Sequence, residues 1–431
     1  MSNQGGSVHL MDSGSYRKQT TTAGVENQLQ TNNFKEIIIK KGQELLTENY
    51  ADPTIRLKKV SDKITISAID EKGNELSSLT YEFDNLSDAV TRVKSLSDRY
   101  PFTFYIGDNF ELSTDPDEPG KIPSNLFSVT GERSPNIKSI YFGKCVEEIA
   151  NNAFLNVTSL EEVNFKNGGL KSIGQSAFTG THIKSIEIPK TVKTINKNAF
   201  MNCTYLETVK FDNDCVINEV QSGTDNDDPE DETTYSDNKV TCALLENTFK
   251  GCTALKTVVL PYHITNIGVS AFENCASLSE VVFSRNPSGA LTRDGLVRHN
   301  PTYEVIGDSA FRNCTSLKII ELPVTITTLG ASSFRGCTGI ESIGMPKSMK
   351  TINEKAFKDC TALTSVTLNS ELETIASDTF DGCENLETIY VYANKTTIDP
   401  DTHTDPEDPT SPITCNAPWG ASETTRVIYK N

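Results

Sequence analysis

The sequence lacks the features that mark membrane-spanning and nucleic-acid-binding proteins. It contains no run of about 18 apolar residues, so we predict no transmembrane helix. The N-terminus has neither the basic segment nor the apolar stretch of a secretory signal. We therefore expect that a signal was removed or that export does not depend on one. Its 40 Lys and Arg against 58 Asp and Glu give a net charge of −18, which argues against binding phosphate backbones.

The sequence also lacks the local motifs of common enzymes and metal sites. It has no zinc-type HExxH, no GxSxG nucleophile elbow and no phosphate-binding GxxxxGK[ST]. The acidic stretches at 115–118, 225–232 and 399–408 do not follow the ligand order of an EF-hand. We interpret them as solvated loops, with calcium binding as the alternative. We predict no enzymatic activity, no cofactor and no metal site.

What the sequence does contain is a repeat, seen in Thr351–Leu368 (TINEKAFKDCTALTSVTL) and in close variants along the chain. Each copy can be anchored on one phenylalanine. These are Phe154, Phe178, Phe200, Phe249, Phe272, Phe311, Phe334, Phe357 and Phe380. The successive steps are 24, 22, 49, 23, 39, 23, 23 and 23 residues. A period near 23 predicts a solenoid, in which each repeat buries its apolar face against its neighbours.

The cysteines follow the same period. Seven of the eleven lie three residues after an anchor phenylalanine, and no Cys-x-x-Cys pair occurs. We therefore predict a column of buried free thiols that pack as small apolar groups. Some disulfide pairing is the alternative. The predicted core pairs are Phe200 and Cys203, Phe249 and Cys252, Phe272 and Cys275, Phe311 and Cys314, Phe334 and Cys337, Phe357 and Cys360, and Phe380 and Cys383.

One repeat, Ser316–Phe334, predicts the structure of the others. Leu317, Ile320 and Leu322 indicate a short strand that ends at Pro323. Two further apolar residues then point inward before a short helical turn that carries Phe334. Strands of neighbouring repeats should stack in parallel about 4.8 Å apart. The predicted fold class is thus an α/β solenoid of about nine repeats.

The recurring pattern, a strand such as SIEIP or IIELP followed by xxIxxxAFxxCxxL, resembles the BspA-type leucine-rich repeat. The resemblance covers residues 137–392, although Val157 and Thr181 replace the cysteine in the first two repeats. It implies a bacterial surface protein that binds host proteins or other cells without catalysis. Residues 393–431, with Ala417–Gly420 (APWG), resemble the family's C-terminal cap. Tyr390, Tyr392 and Trp419 could complete a hydrophobic cap or, alternatively, form an aromatic binding patch.

The residues before the repeats divide into three predicted parts. Residues 1–33 are polar and are interpreted as a flexible tail or a docking peptide. Residues 34–112 are predicted to form a small α+β domain whose helix lies at 86–100, because apolar residues follow helical spacing there. Residues 113–136 are rich in proline and acidic residues at their start and are interpreted as a linker.

Two insertions lengthen the repeat, at residues 212–241 and 284–303. The first is densely acidic, whereas the second carries a basic cluster of Arg285, Arg293, Arg298 and His299. We expect both to leave the repeat at the same place, after the strand and before the phenylalanine turn. They could be solvated loops, they could pair with each other by charge, or one could contact a ligand. In the last case we favour the basic cluster as the partner-binding element.

Together these observations predict a non-enzymatic, surface-displayed adhesion protein whose solenoid contacts a protein or glycan on a cell surface. The alternative is a structural component of a larger particle, such as a phage head fibre or decoration protein. In that case residues 1–112 would dock on the capsid. Both predictions place the protein outside the cell, on a cell surface or a virion surface. Neither involves nucleic acid or membrane insertion, and both are compatible with a homo-oligomer.

Overall fold

The structure is a computed structural model. It describes strands Tyr16–Lys18, Glu36–Lys41, Ile64–Ile69, Glu75–Phe83 and Phe102–Ile106. It further describes residues 120–129, 137–143, 146–165, 169–212, 215–221, 240–261, 264–284, 303–393 and 419–430. These residues form strands and turns, and none of them is helical. Within these ranges no helix is long and apolar enough to cross a membrane.

The chain forms two compact units, Met1–Thr191 and Val192–Asn431. The first contains β1 (Tyr16–Lys18), β2 (Glu36–Lys41), β3 (Ile64–Ile69), β4 (Glu75–Phe83), β5 (Phe102–Ile106), β6 (Lys121–Ile122), β7 (Ile137–Phe142), β8 (Glu148–Ile149), β9 (Glu162–Asn164), β10 (Ser172–Ile173) and β11 (Ser185–Ile188). One sheet has the order β1-β4-β3-β2-β5-β7-β9. Strands β6, β8 and β10 form a second, parallel ladder.

The second unit contains β12 (Thr194–Ile195), β13 (Thr208–Phe211), β14 (Glu219–Gln221), β15 (Val240–Leu244), β16 (Thr257–Leu260), β17 (Asn266–Ile267), β18 (Glu280–Phe283), β19 (Val305–Ile306), β20 (Ile319–Ile320), β21 (Thr328–Leu329), β22 (Ser342–Gly344), β23 (Thr351–Ile352), β24 (Ser365–Leu368), β25 (Thr374–Ile375), β26 (Thr388–Val391) and β27 (Arg426–Tyr429). The longer strands stack as β13-β16-β18-β20 and as β22-β24-β26-β27. The short strands stack as β14-β15-β17-β19-β21-β23-β25.

Each turn of the solenoid is therefore a long strand, a bend, a two-residue strand and a series of tight turns. In the long strand the side chains alternate, so that Val258 and Leu260 of β16 are fully buried while Val259 faces solvent. In the short strand the second residue, such as Ile267 or Leu329, points into the core. A solenoid of about nine turns is confirmed, but its α component is not.

The segment around each phenylalanine is a run of tight turns instead of the predicted helical turn. Ser332 and Gly336, two residues before and after Phe334, have φ angles of 57° and 73°. Left-handed residues interrupt a right-handed helix. They also direct alternate N–H groups along the stack, where Phe334 donates to the carbonyl of Ala356 at 2.8 Å. The backbone hydrogen bonds thus join neighbouring repeats, which is why no helix forms here.

The predicted core residues lie in the interior as two columns. In the second unit the phenylalanine rings stack with centroids 5.3–5.8 Å apart and interplanar angles of 15° or less. The cysteines beside them are buried free thiols. Each thiol from Cys252 onwards donates to the carbonyl of the phenylalanine in the preceding repeat, for example Cys337 to Phe311 at 3.0 Å. The thiols thus add an inter-repeat hydrogen bond as well as apolar packing.

The solenoid begins earlier than expected. Within the predicted linker 113–136, residues 120–129 form a turn of the same kind, with Asn125 at φ 60°. Phe127 is fully buried and stacks on Phe154 with centroids 4.7 Å apart. The absence of the Ala-Phe pair concealed this turn in the sequence. In addition, β5 pairs in parallel with β7, so the N-terminal strands extend the solenoid sheet.

Two other N-terminal predictions meet the structure only in part. Within the predicted tail 1–33, Tyr16–Lys18 forms β1, which pairs antiparallel with β4. In the range 34–112 the structure describes strands β2 to β5, and the helix predicted at 86–100 lies outside the described residues. The α+β assignment of this part is therefore unsupported.

Candidate binding face on the long strands

The long strands of the second unit present an ordered array of outward side chains, which we call the candidate binding face. It comprises two outward positions on each strand. They are Thr208 and Lys210, Thr257 and Val259, Glu280 and Val282, Ile319 and Glu321, Ser342 and Gly344, Ser365 and Thr367, Thr388 and Tyr390, and Arg426 and Ile428. The buried partners between them, such as Val281 and Ile320, anchor each strand to the core.

Three apolar side chains of this face are exposed on neighbouring strands. Val259 and Val282 are direct partners in the ladder between β16 and β18, and they are 41% and 38% exposed. Ile319 on β20 lies one diagonal step from Val282 and is 72% exposed. Val324, in the bend after β20, is 73% exposed. Soluble proteins seldom leave contiguous apolar surface open, so this cluster is a candidate interaction surface.

Two carboxylates flank the apolar cluster. Glu280 is the ladder partner of Ile319, and Glu321 follows Ile319 by two residues on the same face. Among the residues that the structure describes, neither carboxylate is within ion-pair distance of a cation, and the same holds for Lys318. By contrast, Lys256 at the start of β16 contacts Glu207 at 2.6 Å. Within the described part of the chain, the charges nearest the apolar cluster thus have no ionic partner.

At the C-terminal end the face carries aromatic residues. Lys430 lies over the ring of Tyr390, 5.6 Å from its centroid, and Tyr392 is 50% exposed. Trp419 is fully buried, and its carbonyl accepts a hydrogen bond from the N–H of Phe380 at 2.8 Å. Trp419 thus closes the phenylalanine column, as a cap does. Tyr390 and Tyr392 lie on the outward side. The hydrophobic-cap alternative therefore applies to Trp419, and the binding-patch alternative applies to the two tyrosines.

The second insertion leaves the face directly beside the apolar cluster, after Ser284. The chain returns at Tyr303, which occupies the core position held by Ile264 one repeat earlier. Tyr303 is 1% exposed and packs edge-on against Phe283, while its hydroxyl donates to the carbonyl of Pro261 at 2.9 Å. Its burial raises the pKa of the phenol well above the usual range. Sequence reasoning missed this anchor because Tyr303 lay at the predicted edge of a loop.

The first insertion leaves from a different part of the repeat, contrary to expectation. Cys215 and Ile217 are still in the core, and Cys215 lies 23 residues after its equivalent Val192 in the preceding turn. The extra residues depart after Asn218, and β14 and β15 pair antiparallel where they leave and return. The Asn218 amide donates to the carbonyls of Ile195 and Ala243 at 3.0 and 2.8 Å, which holds this exit in place. The two insertions therefore do not depart from one point of the repeat.

The basic cluster of Arg285, Arg293, Arg298 and His299 lies outside the described residues. Its role in partner binding stays a prediction. The other predicted set, the phenylalanine and cysteine columns, is too deeply buried to contact a ligand.

The titratable groups of the interior are structural. Burial raises the pKa of Cys275 and Cys337 to about 12, so these thiols are neutral and unreactive at physiological pH. Glu273 is 8% exposed and contacts Lys250 at 2.8 Å. Burial raises its pKa, but the hydrogen bonds and charges of Lys250, Ser270 and Arg312 together lower it. In the described part of the chain no group of three or more His, Cys, Asp or Glu could hold a metal ion.

The fold defines a β-solenoid of the leucine-rich-repeat class. The family model for the BspA type leucine rich repeat region matches six copies, over residues 120–224, 237–289 and 297–406. This is more than half of the chain, which therefore belongs to the BspA-type leucine-rich repeat family. No enzyme family is indicated. A comparison with curated proteins gave no match.

Several solved structures of similar proteins are bacterial leucine-rich repeat proteins. The T. pallidum leucine rich repeat protein is 30% identical over 35% of this chain, which spans 64% of that protein, with a TM-score of 0.29. A leucine-rich repeat protein from Bacteroides ovatus is 20% identical, with 76% of this chain and 92% of that one covered and a TM-score of 0.38. A leucine rich cell surface protein from Faecalibacterium prausnitzii is 20% identical, with coverages of 69% and 91% and a TM-score of 0.31.

Proposed function

We propose that this protein is a non-enzymatic adhesion protein, displayed on a cell surface, that binds a macromolecular partner through the candidate binding face. The observation that carries the proposal is the exposed cluster of Val259, Val282 and Ile319 on a solvent-facing sheet. A rigid sheet holds these side chains at fixed spacing, so little conformational entropy is lost when they are covered. Membership of the family supports the proposed surface display. The alternative of a particle component docked through residues 1–112 gains no support from the family match.

Binding to arrays of extracellular matrix proteins and glycans, and to intact bacterial cells, would test this proposal. The full chain is compared with the double variant Val282→Ser/Ile319→Ser. Val269→Ser is the matched control, because Val269 is 45% exposed but lies in a turn away from the long strands. We expect the double variant to lose binding and the control to retain it. A wild-type protein that binds no array component and no cell would refute the function. Binding that survives the double variant would refute the face.

The basic cluster of the second insertion is a second proposed contact. Charge reversal at Arg293 and Arg298 is expected to weaken binding to the same ligands, because a local basic group gives directional attraction on an acidic protein. Binding that is unchanged in this variant would show that the insertion is a solvated loop.

A further inference from the structure

We infer that the candidate binding face around Ile319 takes a basic protein segment, one in which basic and apolar side chains alternate on one face. This inference rests on the proposed function and adds the chemistry of the partner. It depends on the relation between the exposed apolar cluster and the two carboxylates beside it.

The apolar cluster is the part of the face that an apolar side chain of the partner would contact. Ile319 is 72% exposed although the neighbouring Ile320 is 5% exposed, so the strand itself does not require an apolar residue at 319. Val259 and Val282 extend the apolar surface over two further strands, about 4.8 Å apart. Together the three side chains offer an apolar contact on three neighbouring strands.

The charges beside the cluster determine which charge a partner should carry. Glu280 lies across the ladder from Ile319, and Glu321 follows Ile319 by two residues, directly after β20. In the described ranges both carboxylates lack an ion pair, and a cationic partner would supply it. Lys318 precedes the strand and leaves the immediate surroundings net acidic. The net charge of −18 adds long-range attraction for a basic partner and repels an acidic one.

The geometry also fits an extended segment. Side chains on one face of an extended chain recur every second residue, about 6.8 Å apart. Glu280 and Val282 are two residues apart on β18. Ile319 and Glu321 have the same separation in the next repeat, so a carboxylate and an apolar side chain alternate in both segments. A sequence with alternating basic and apolar residues on one face therefore matches the cluster and its flanking carboxylates together.

Synthetic peptides provide the test. The probe is (Lys-Ser-Phe-Ser)3-Lys with a fluorescent label, and its controls replace every Lys with Glu or every Phe with Ser. Binding to the full chain is measured by fluorescence anisotropy at low and at physiological salt. We expect the Lys/Phe peptide to bind at least tenfold more tightly than either control. Its affinity should fall as salt rises, because exposed charges are screened.

Variants assign the binding to the face. Ile319→Ser is expected to lower the affinity for the Lys/Phe peptide about tenfold, because one largely buried aliphatic contact is lost. Glu280→Lys/Glu321→Lys should weaken it at least as much and reduce the salt dependence. Glu373→Lys is the matched control, because it reverses an exposed carboxylate on the short-strand side, where Glu373 pairs with Lys350.

The outcomes separate this inference from the proposed function. Equal binding of the Glu/Phe peptide, or no loss in the face variants, would overturn the inference. So would the absence of peptide binding. In either case a wild-type protein that still binds array ligands or cells through the face would leave the proposed function intact. Failure of both assays would refute both.

Discussion

The fit between Asn313 and Gly336 gives the sharpest test of how neighbouring repeats are joined. A methyl group at Gly336 would lie 2.4 Å from the side-chain oxygen of Asn313 in the preceding repeat. Gly336 also has a φ of 73°, where an L side chain is strained. The Asn313 amide cannot move freely, because it donates to the side-chain oxygen of Asn274 at 2.8 Å.

The magnitude for Gly336→Ala follows from three contributions. The left-handed backbone costs about 1–2 kcal/mol with an alanine. Alanine also lowers the conformational entropy of the unfolded chain, which offsets about 0.4–1 kcal/mol of this cost. Moving Asn313 breaks its hydrogen bond to Asn274, which costs about 0.5–1.5 kcal/mol. We expect the free energy of unfolding to fall by roughly 2 kcal/mol.

A double-mutant cycle separates the clash from the backbone strain. Asn313→Gly removes the obstructing side chain and its hydrogen bond but tolerates the φ of 59° at this position. In that background Gly336→Ala meets no side chain, so the double variant should be about 1 kcal/mol more stable than the sum of the single effects. Urea unfolding of the four proteins measures the coupling.

The control for this cycle is Gly344→Ala. Gly344 lies on the outward face of β22, and a methyl group there would meet no atom within 4 Å. Because glycine weakens a strand, we expect this change to stabilise the protein by up to about 1 kcal/mol. Additive effects of Asn313→Gly and Gly336→Ala within about 0.3 kcal/mol would refute the proposed contact between repeats.

Three further predictions concern the interior. Unfolded thiols ionise at lower pH than the buried Cys275 and Cys337, whose pKa is about 12. The stabilisation from each buried thiol is therefore full below pH 8, and it is lost at about 1.4 kcal/mol per pH unit between the unfolded and folded pKa values. Urea unfolding midpoints from pH 7 to 10, compared with those of Cys337→Ala, measure this loss. Tyr303→Phe should cost about 1 kcal/mol and Tyr303→Ala about 3–5 kcal/mol, because only the first keeps the packed ring, and equal losses in urea unfolding would contradict this. Trp419, the single tryptophan, should show blue-shifted emission that acrylamide quenches slowly, and its exposure before the global loss of circular dichroism would show that the cap opens first.

The core of the fold was predictable because each inward residue must match its equivalents above and below. Phe334 and Cys337 recur with the repeat because the ring and the thiol each pack against the equivalent groups of neighbouring repeats. The turn was mispredicted for a physical reason. An Ala-Phe pair followed by Cys three residues later imitates the spacing of a helix. The informative signal was the residue two places after the phenylalanine, where Asn313, Gly336 and Asp359 are of the types that favour a left-handed backbone.

The candidate binding face was not predictable in the same way. Consecutive β-branched residues, such as Val258 and Val259, read as one apolar run, and periodicity alone does not say which of them faces solvent. Only the ladder between β16, β18 and β20 shows that Val259, Val282 and Ile319 share the outward side. The bend at Tyr303 was hidden for another reason: the inserted residues shift the repeat out of phase.

The insertions show why such a face can change without loss of the fold. The rings of Phe200 and Phe249 stack at 5.4 Å across the first insertion, and those of Phe272 and Phe311 stack at 5.3 Å across the second. Uninterrupted repeats have the same spacing, for example 5.4 Å between Phe334 and Phe357. The core column is therefore the same whether or not extra residues leave the repeat. Because each repeat is stabilised by its immediate neighbours, outward residues and insertions can vary with the partner while the inward residues keep the solenoid together.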